Sequence, residues 1–151
     1  MKQYKTIIIG LSLLLLSGCG TKKEEILYTC KQDAIASTYS ATFDYIIKTR
    51  DQQGISSIET SAIYTASFDD TDFSDVIKTL EEQKKVYQGQ YTETDIDLDE
   101  RKEQIYFRVM IPINEHNLSL LQNIDDHLVQ DGNLNIQQYK IFLENQGYTC
   151  K

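Results

Sequence analysis

Three cysteines are the residues best placed to do chemistry in this 151-residue chain, at positions 19, 30 and 150. A thiol can accept a lipid, ligate a metal, act as a nucleophile or pair with another thiol, and its setting decides among these. Cys19 closes Leu16-Ser17-Gly18-Cys19 at the foot of an apolar run, while Cys30 and Cys150 stand near the two ends of the chain beyond it. There is no C-x-x-C to support a redox role. His116 and His127 are eleven positions apart, outside any H-E-x-x-H pattern and away from paired cysteines, so zinc is not expected.

The acidic residues suggest metal sites and then fail the tests. Asp95-x-Asp97-x-Asp99 has the opening spacing of a calcium loop, which needs Gly sixth and Glu twelfth. Those positions hold Glu100 and Tyr106. Asp131-Gly132-Asn133-Leu134-Asn135 fails likewise, with Ile136 and Phe142 there. Both stretches read as an exposed strand face and a turn. Asp69, Asp70, Asp72 and Asp75 read as a turn running into a helix N-terminus. No Gly-rich phosphate loop and no G-x-S-x-G occurs. The many acids single out no carboxylate pair for sugar hydrolysis. No catalytic residue, cofactor or metal is therefore expected.

The N-terminus gives Cys19 its meaning. Lys2 and Lys5 make a basic start, and Ile7 to Leu16 is apolar apart from Gly10 and Ser12. A spanning helix needs about 20 apolar residues, so this run reads as the apolar part of a secretory signal. Its ending resembles the lipobox of bacterial lipoproteins. That resemblance implies a diacylglycerol on the Cys19 thiol, cleavage before Cys19 and loss of residues 1–18. Two acyl chains anchor stably, since each buried CH₂ contributes about 0.8 kcal/mol. The expected organisation is signal peptide 1–18, lipidated Cys19 with a short polar tether to residue 25, and one domain over 26–151.

Without residues 1–18, 13 basic side chains face 23 acidic ones, a formal charge of −10. Nucleic acid and anionic head groups should repel such a domain. Membrane association is expected through lipid alone, on the extracytoplasmic side of the cell membrane. In an exported chain the remaining pair, Cys30 and Cys150, most simply forms one disulfide.

The elements that must position these residues can be read from periodicity. A first strand spans Glu25 to Lys31, with Ile26, Tyr28 and Cys30 on one face. Tyr39, Ala41, Phe43, Tyr45 and Ile47 alternate with Ser40, Thr42, Asp44, Ile46 and Lys48, and a third strand places Ile58, Thr60, Ala62, Tyr64, Ala66 and Phe68 on one face. Gly54 marks the turn between them. Phe73, Val76, Ile77, Leu80 and Tyr87 repeat as one helix face, with Lys84 and Lys85 near its end and Gly89 as its stop. A hairpin pairs Tyr91–Leu98 with Glu103–Ile111, and Pro112 ends it. Residues 113–133 suggest a short helix or loop through Leu118, Leu121, Ile124 and Leu128. Asn135 caps a last helix that stops at Gly147.

The order β-β-β-α-β-β-α predicts an α+β fold, an antiparallel sheet of about five strands with helices on one face. Most of the ten tyrosines fall on apolar faces and are expected in the core. Tyr106 falls opposite Ile105 and Phe107, so with Arg108 it is the expected exposed contact.

The "LYTCKQ" of residues 27–32, the central amphipathic helix and the closing "FLENQGYTC" of residues 142–150 resemble the YehR-type small bacterial lipoproteins. The resemblance implies an α+β lipoprotein of uncharacterised function, with no catalytic residues to carry over. The expected function is non-enzymatic binding of an envelope component or a small ligand. The alternative is a cell-envelope hydrolase or modifying enzyme.

Overall fold

The computed structural model describes residues 24–50 and 54–151; residues 1–23, with Cys19 and the signal pattern, lie outside them. Alternating residues form long strands, as the pleat requires: β1 (Glu24–Ile35), β2 (Tyr39–Arg50) and β3 (Ile55–Ala66). Helix α1 (Ser74–Gln90) leads to the hairpin β4 (Asp95–Arg101) and β5 (Gln104–Pro112). Then come α2 (Glu115–Ile124), a 3-10 turn at Asp126–Leu128, the short ribbon β6 (Val129–Gln130) and β7 (Asn133–Leu134), α3 (Ile136–Asn145) and β8 (Thr149–Cys150). The main sheet is antiparallel in the order β4-β5-β3-β2-β1-β8. This is the expected α+β fold, with the returning C-terminus as a sixth strand.

Several local expectations are corrected. Glu24 and Glu25 belong to β1 rather than to a tether. A bulge between Ile26 and Tyr28 pairs Ile26 with Lys48 and Tyr28 with Ile47. Ile26 thus leaves the face of Tyr28 and Cys30, and it is 62% exposed. Phe68 lies beyond β3 and is exposed. Gly89 sits inside α1, which ends at an extended Tyr91, and the last turn holds no basic residue. The β4–β5 turn is Lys102-Glu103, because β4 continues to Arg101. Residues 113–133 are ordered as α2, the 3-10 turn and the β6–β7 ribbon. Asp131 (φ 51°) and Gly132 (φ 73°) tighten that ribbon as the positive φ pair of a type I′ turn.

All three helices cover one sheet face. Val76, Ile77 and Leu80 of α1 pack on Ala62, Ile105, Phe107, Val109 and Ile111. Leu121 of α2 with Tyr139 and Leu143 of α3 packs on Cys30, Ile47 and Ile58. The helix side thus holds two apolar clusters, one under α1 and one under α2 and α3. Asn117 is fully buried where α2 begins. Its side chain donates to the Thr92 and Pro112 carbonyls at 3.0 and 2.8 Å and accepts from the Thr92 amide at 2.9 Å.

The other face carries a charge ladder. Lys31 lies 3.3 Å from Asp44. Glu59 takes Lys48 at 2.7 Å and Arg108 at 3.8 Å, and Arg108 reaches Asp95 at 2.6 Å. Opposite charges on neighbouring strands favour this register.

Candidate functional site: a tyrosine-lined cleft

The gap between the two apolar clusters is the best-formed candidate site. The same alternation that builds the sheet sends Tyr45 of β2 and Tyr64 of β3 up between the helices. Helical spacing brings Tyr87 from α1 and Tyr139 from α3, and Tyr91 and Tyr148 close the sides. Two adjoining cavities of about 200 Å³ each result. Phe43, Tyr64, Gln83 and Tyr148 line the first, and Tyr91, Tyr139, Phe142 and Gln146 line the second. Tyr45, Thr60 and Tyr87 line both.

The aromatic geometry is specific. Tyr45 and Tyr148 meet edge to face with centroids 5.1 Å apart, and Phe43 and Tyr64 do so at 5.9 Å. Tyr87 and Tyr91 are tilted at 5.9 Å. Among the described residues no hydrogen bond engages the hydroxyl of Tyr45, Tyr64, Tyr87, Tyr91, Tyr139 or Tyr148, whereas Tyr28 Oη donates to the Ile136 carbonyl at 3.4 Å. Burial pushes the phenols upward, Tyr139 well above its ordinary value of 10.0. Tyr45 is raised by burial and then by Tyr87, Tyr148 and Tyr91. At physiological pH each phenol is neutral, as tyrosine ordinarily is, and both donor and acceptor.

Wider hollows elsewhere are less convincing. One of about 430 Å³ crosses β1 and β8 beside Lys31, Asp33 and Thr149, and one of about 530 Å³ lies between Ile55 and α2. Largely exposed polar side chains line the first. The second is edged by Ile113, Leu118 and Val129, which pack onto the core beneath.

The residues singled out from sequence fall elsewhere. Cys30 and Cys150 are brought together in a disulfide. Cys19 lies outside the described residues. Tyr106 and Arg108 are on the bare sheet face, but both are half-buried rather than exposed, and Arg108 is held within the charge ladder, its pKa raised chiefly by the hydrogen bond to Asp95. Asp99 pairs with Arg101 at 2.6 Å, leaving the Asp95–Asp99 row as a strand face. Asp72 accepts from the Ser74 amide at 2.9 Å just ahead of α1, whose N-cap residue is Phe73. His116 Nε2 sits 3.0 Å from the Gln90 carbonyl. His127 is grouped with Asp125 and Asp126 on an exposed turn. Asp125 caps that turn by accepting from the His127 amide, which accounts for the grouping without an ion. Sequence reasoning placed the tyrosines on apolar faces but did not see that six of them share one cleft. Their apolar-side registry was the available signal; the spacing of the helices was not readable.

No family model matches the chain, and no curated protein matches it. Among solved structures, the NMR structure of the E. coli YehR protein matches 86% of this chain and 92% of that one. The TM-score is 0.52 and the sequence identity 18%. The chain has a YehR-type fold, as its element order and end motifs implied.

Proposed function

We propose that the protein is a membrane-anchored extracytoplasmic lipoprotein that binds a small ligand or envelope component and does not transform it. The observation that carries this reading is the cleft, which is walled by neutral aromatic and amide side chains. A hydrolase needs a carboxylate or histidine displaced in pKa inside such a cavity. Among the described residues the displaced carboxylates and histidine are Asp72, Asp125 and His127, none of which lines the cleft. The anchor rests on Leu16-Ser17-Gly18-Cys19 and the apolar run before it. Among the described residues no helix is long and apolar enough to cross a membrane.

Two measurements test the reading. Fatty-acid labelling should mark the wild type and not Cys19→Ala; label on the variant removes the anchor. The full chain, titrated with soluble envelope extract, should give a saturable change in tyrosine emission. Mass spectrometry should then recover the bound component unchanged, and its conversion to product would turn the reading to an enzyme.

A further inference from the structure

We propose that the cleft takes an uncharged sugar, one ring in each of its two cavities, as part of a glycan chain. This rests on the cleft being the binding site and adds the class of ligand.

The lining selects against charge. The one acid along its edge, Asp44, turns its carboxylate to Lys31 on the opposite sheet face. No lysine, arginine or histidine lines either cavity. An anion would meet no cation there, in a chain of formal charge −8; a cation would meet no carboxylate. A fatty acyl chain would cover the phenol hydroxyls and leave them unpaired, which costs free energy. An extended peptide would gain no backbone pairing, because the strands of the floor are already paired on both sides.

A sugar ring matches what remains. Its C–H face is apolar and packs on aromatic faces, while its hydroxyl edge exchanges hydrogen bonds with groups that both donate and accept. The tyrosine hydroxyls, Thr60, Gln83 and Gln146 are such groups. Each cavity holds the volume of roughly seven waters, the scale of one six-membered ring with its substituents. Tyr45 and Tyr87 border both cavities, so they sit where two linked rings would meet. The phenols are neutral at physiological pH, as tyrosine ordinarily is, and so offer a donor as well as an acceptor.

The chain has ten tyrosines and no tryptophan, so intrinsic emission is tyrosine emission, and six of the ten line the cleft. The full chain is titrated separately with chitotriose carrying N-acetyl groups, with decanoate and with tetra-alanine. The expected result is a saturable response to the sugar, weakened at least fivefold by Tyr87→Phe and unaffected by Tyr106→Phe on the other sheet face. Gln83→Ala, on an exposed position of α1, gives a second arm should Tyr87→Phe fold poorly, and it should also weaken the sugar response. No response to the sugar overturns the proposal. A response to decanoate or tetra-alanine alone, sensitive to the same variants, overturns the sugar class and keeps the cleft as the site. A sugar response indifferent to both cleft variants overturns the cleft itself.

Discussion

Cys30 of β1 and Cys150 of β8 are directly opposed across the sheet and covalently joined, 120 positions apart in sequence. Their neighbours Thr29 and Lys151 exchange two backbone hydrogen bonds, of 3.0 and 2.9 Å. The cysteines therefore occupy the closer, non-hydrogen-bonded type of site in the ladder. Cys30 is fully buried beneath α3.

Cutting this bridge should be costly. Cys150→Ser should lower unfolding stability by about 3–5 kcal/mol, because a loop of this length is released in the unfolded chain. Urea denaturation of wild type and variant, each with and without reductant, measures it. An unchanged midpoint would show that the two-residue β8 holds without the bond.

Asn117 gives a second expectation. Asn117→Ala should cost about 2–4 kcal/mol, since it strands the Thr92 amide and the Thr92 and Pro112 carbonyls in a buried place. Thermal unfolding by circular dichroism reads it. A shift smaller than that of an exposed Asn145→Ala control would mean that water enters and replaces the side chain.

The cleft phenols should make the protein sensitive to alkali. Their folded pKa values lie above the unfolded 10.0. For an acid raised in this way, stability is complete below pH 10 and falls as pH rises toward the folded values, because the unfolded chain releases protons first. Near-ultraviolet absorbance should show the exposed phenols ionising early. The cleft phenols should ionise in a later step that coincides with loss of the far-ultraviolet signal. A single step at pH 10 with the fold intact would contradict their burial.

His127 should titrate above 6.5, held mainly by its hydrogen bond to Asp125 and then by the charge of Asp126. The stability it contributes is present below 6.5 and lost as pH rises through the folded value. Asp125, lowered by bonds from the His127 amide and ring, contributes above its ordinary range and loses this as pH falls. Proton NMR of the His127 ring should show the raised value in the wild type and a return toward 6.5 in Asp125→Asn. No change between them would place the cause elsewhere.

The long strands were legible because Tyr39 to Ile47 and Ile58 to Ala66 alternate, with Ile46 and Ile63 as the apolar exceptions on the other face, and a buried face enforces that period. The bridge was legible from the export signal expected at the N-terminus and the even number of cysteines left after Cys19. Ile26 was misplaced because a bulge at Leu27 has no mark in the sequence. Residues 113–133 were obscure because α2 is short and β6 and β7 have two residues each, too few for a period to show. Asn117 reads as a surface residue; only tertiary contact with Thr92 and Pro112 reveals its burial. The cleft depends on how far α1 stands from α3, which no local pattern encodes.

The bridge also sets how the protein carries tension. Force entering at Glu24 can unzip only the six residues of β1 ahead of Cys30 before it reaches a covalent bond. From there the load passes straight to Cys150 and leaves at the far end of the chain. The chain between the cysteines, which stand 120 positions apart, is bypassed, so both walls of the cleft remain slack. Stretched between its ends, the described domain should lengthen by a few residues at roughly 3.3–3.6 Å each and then stiffen, with whatever occupies the cleft undisturbed.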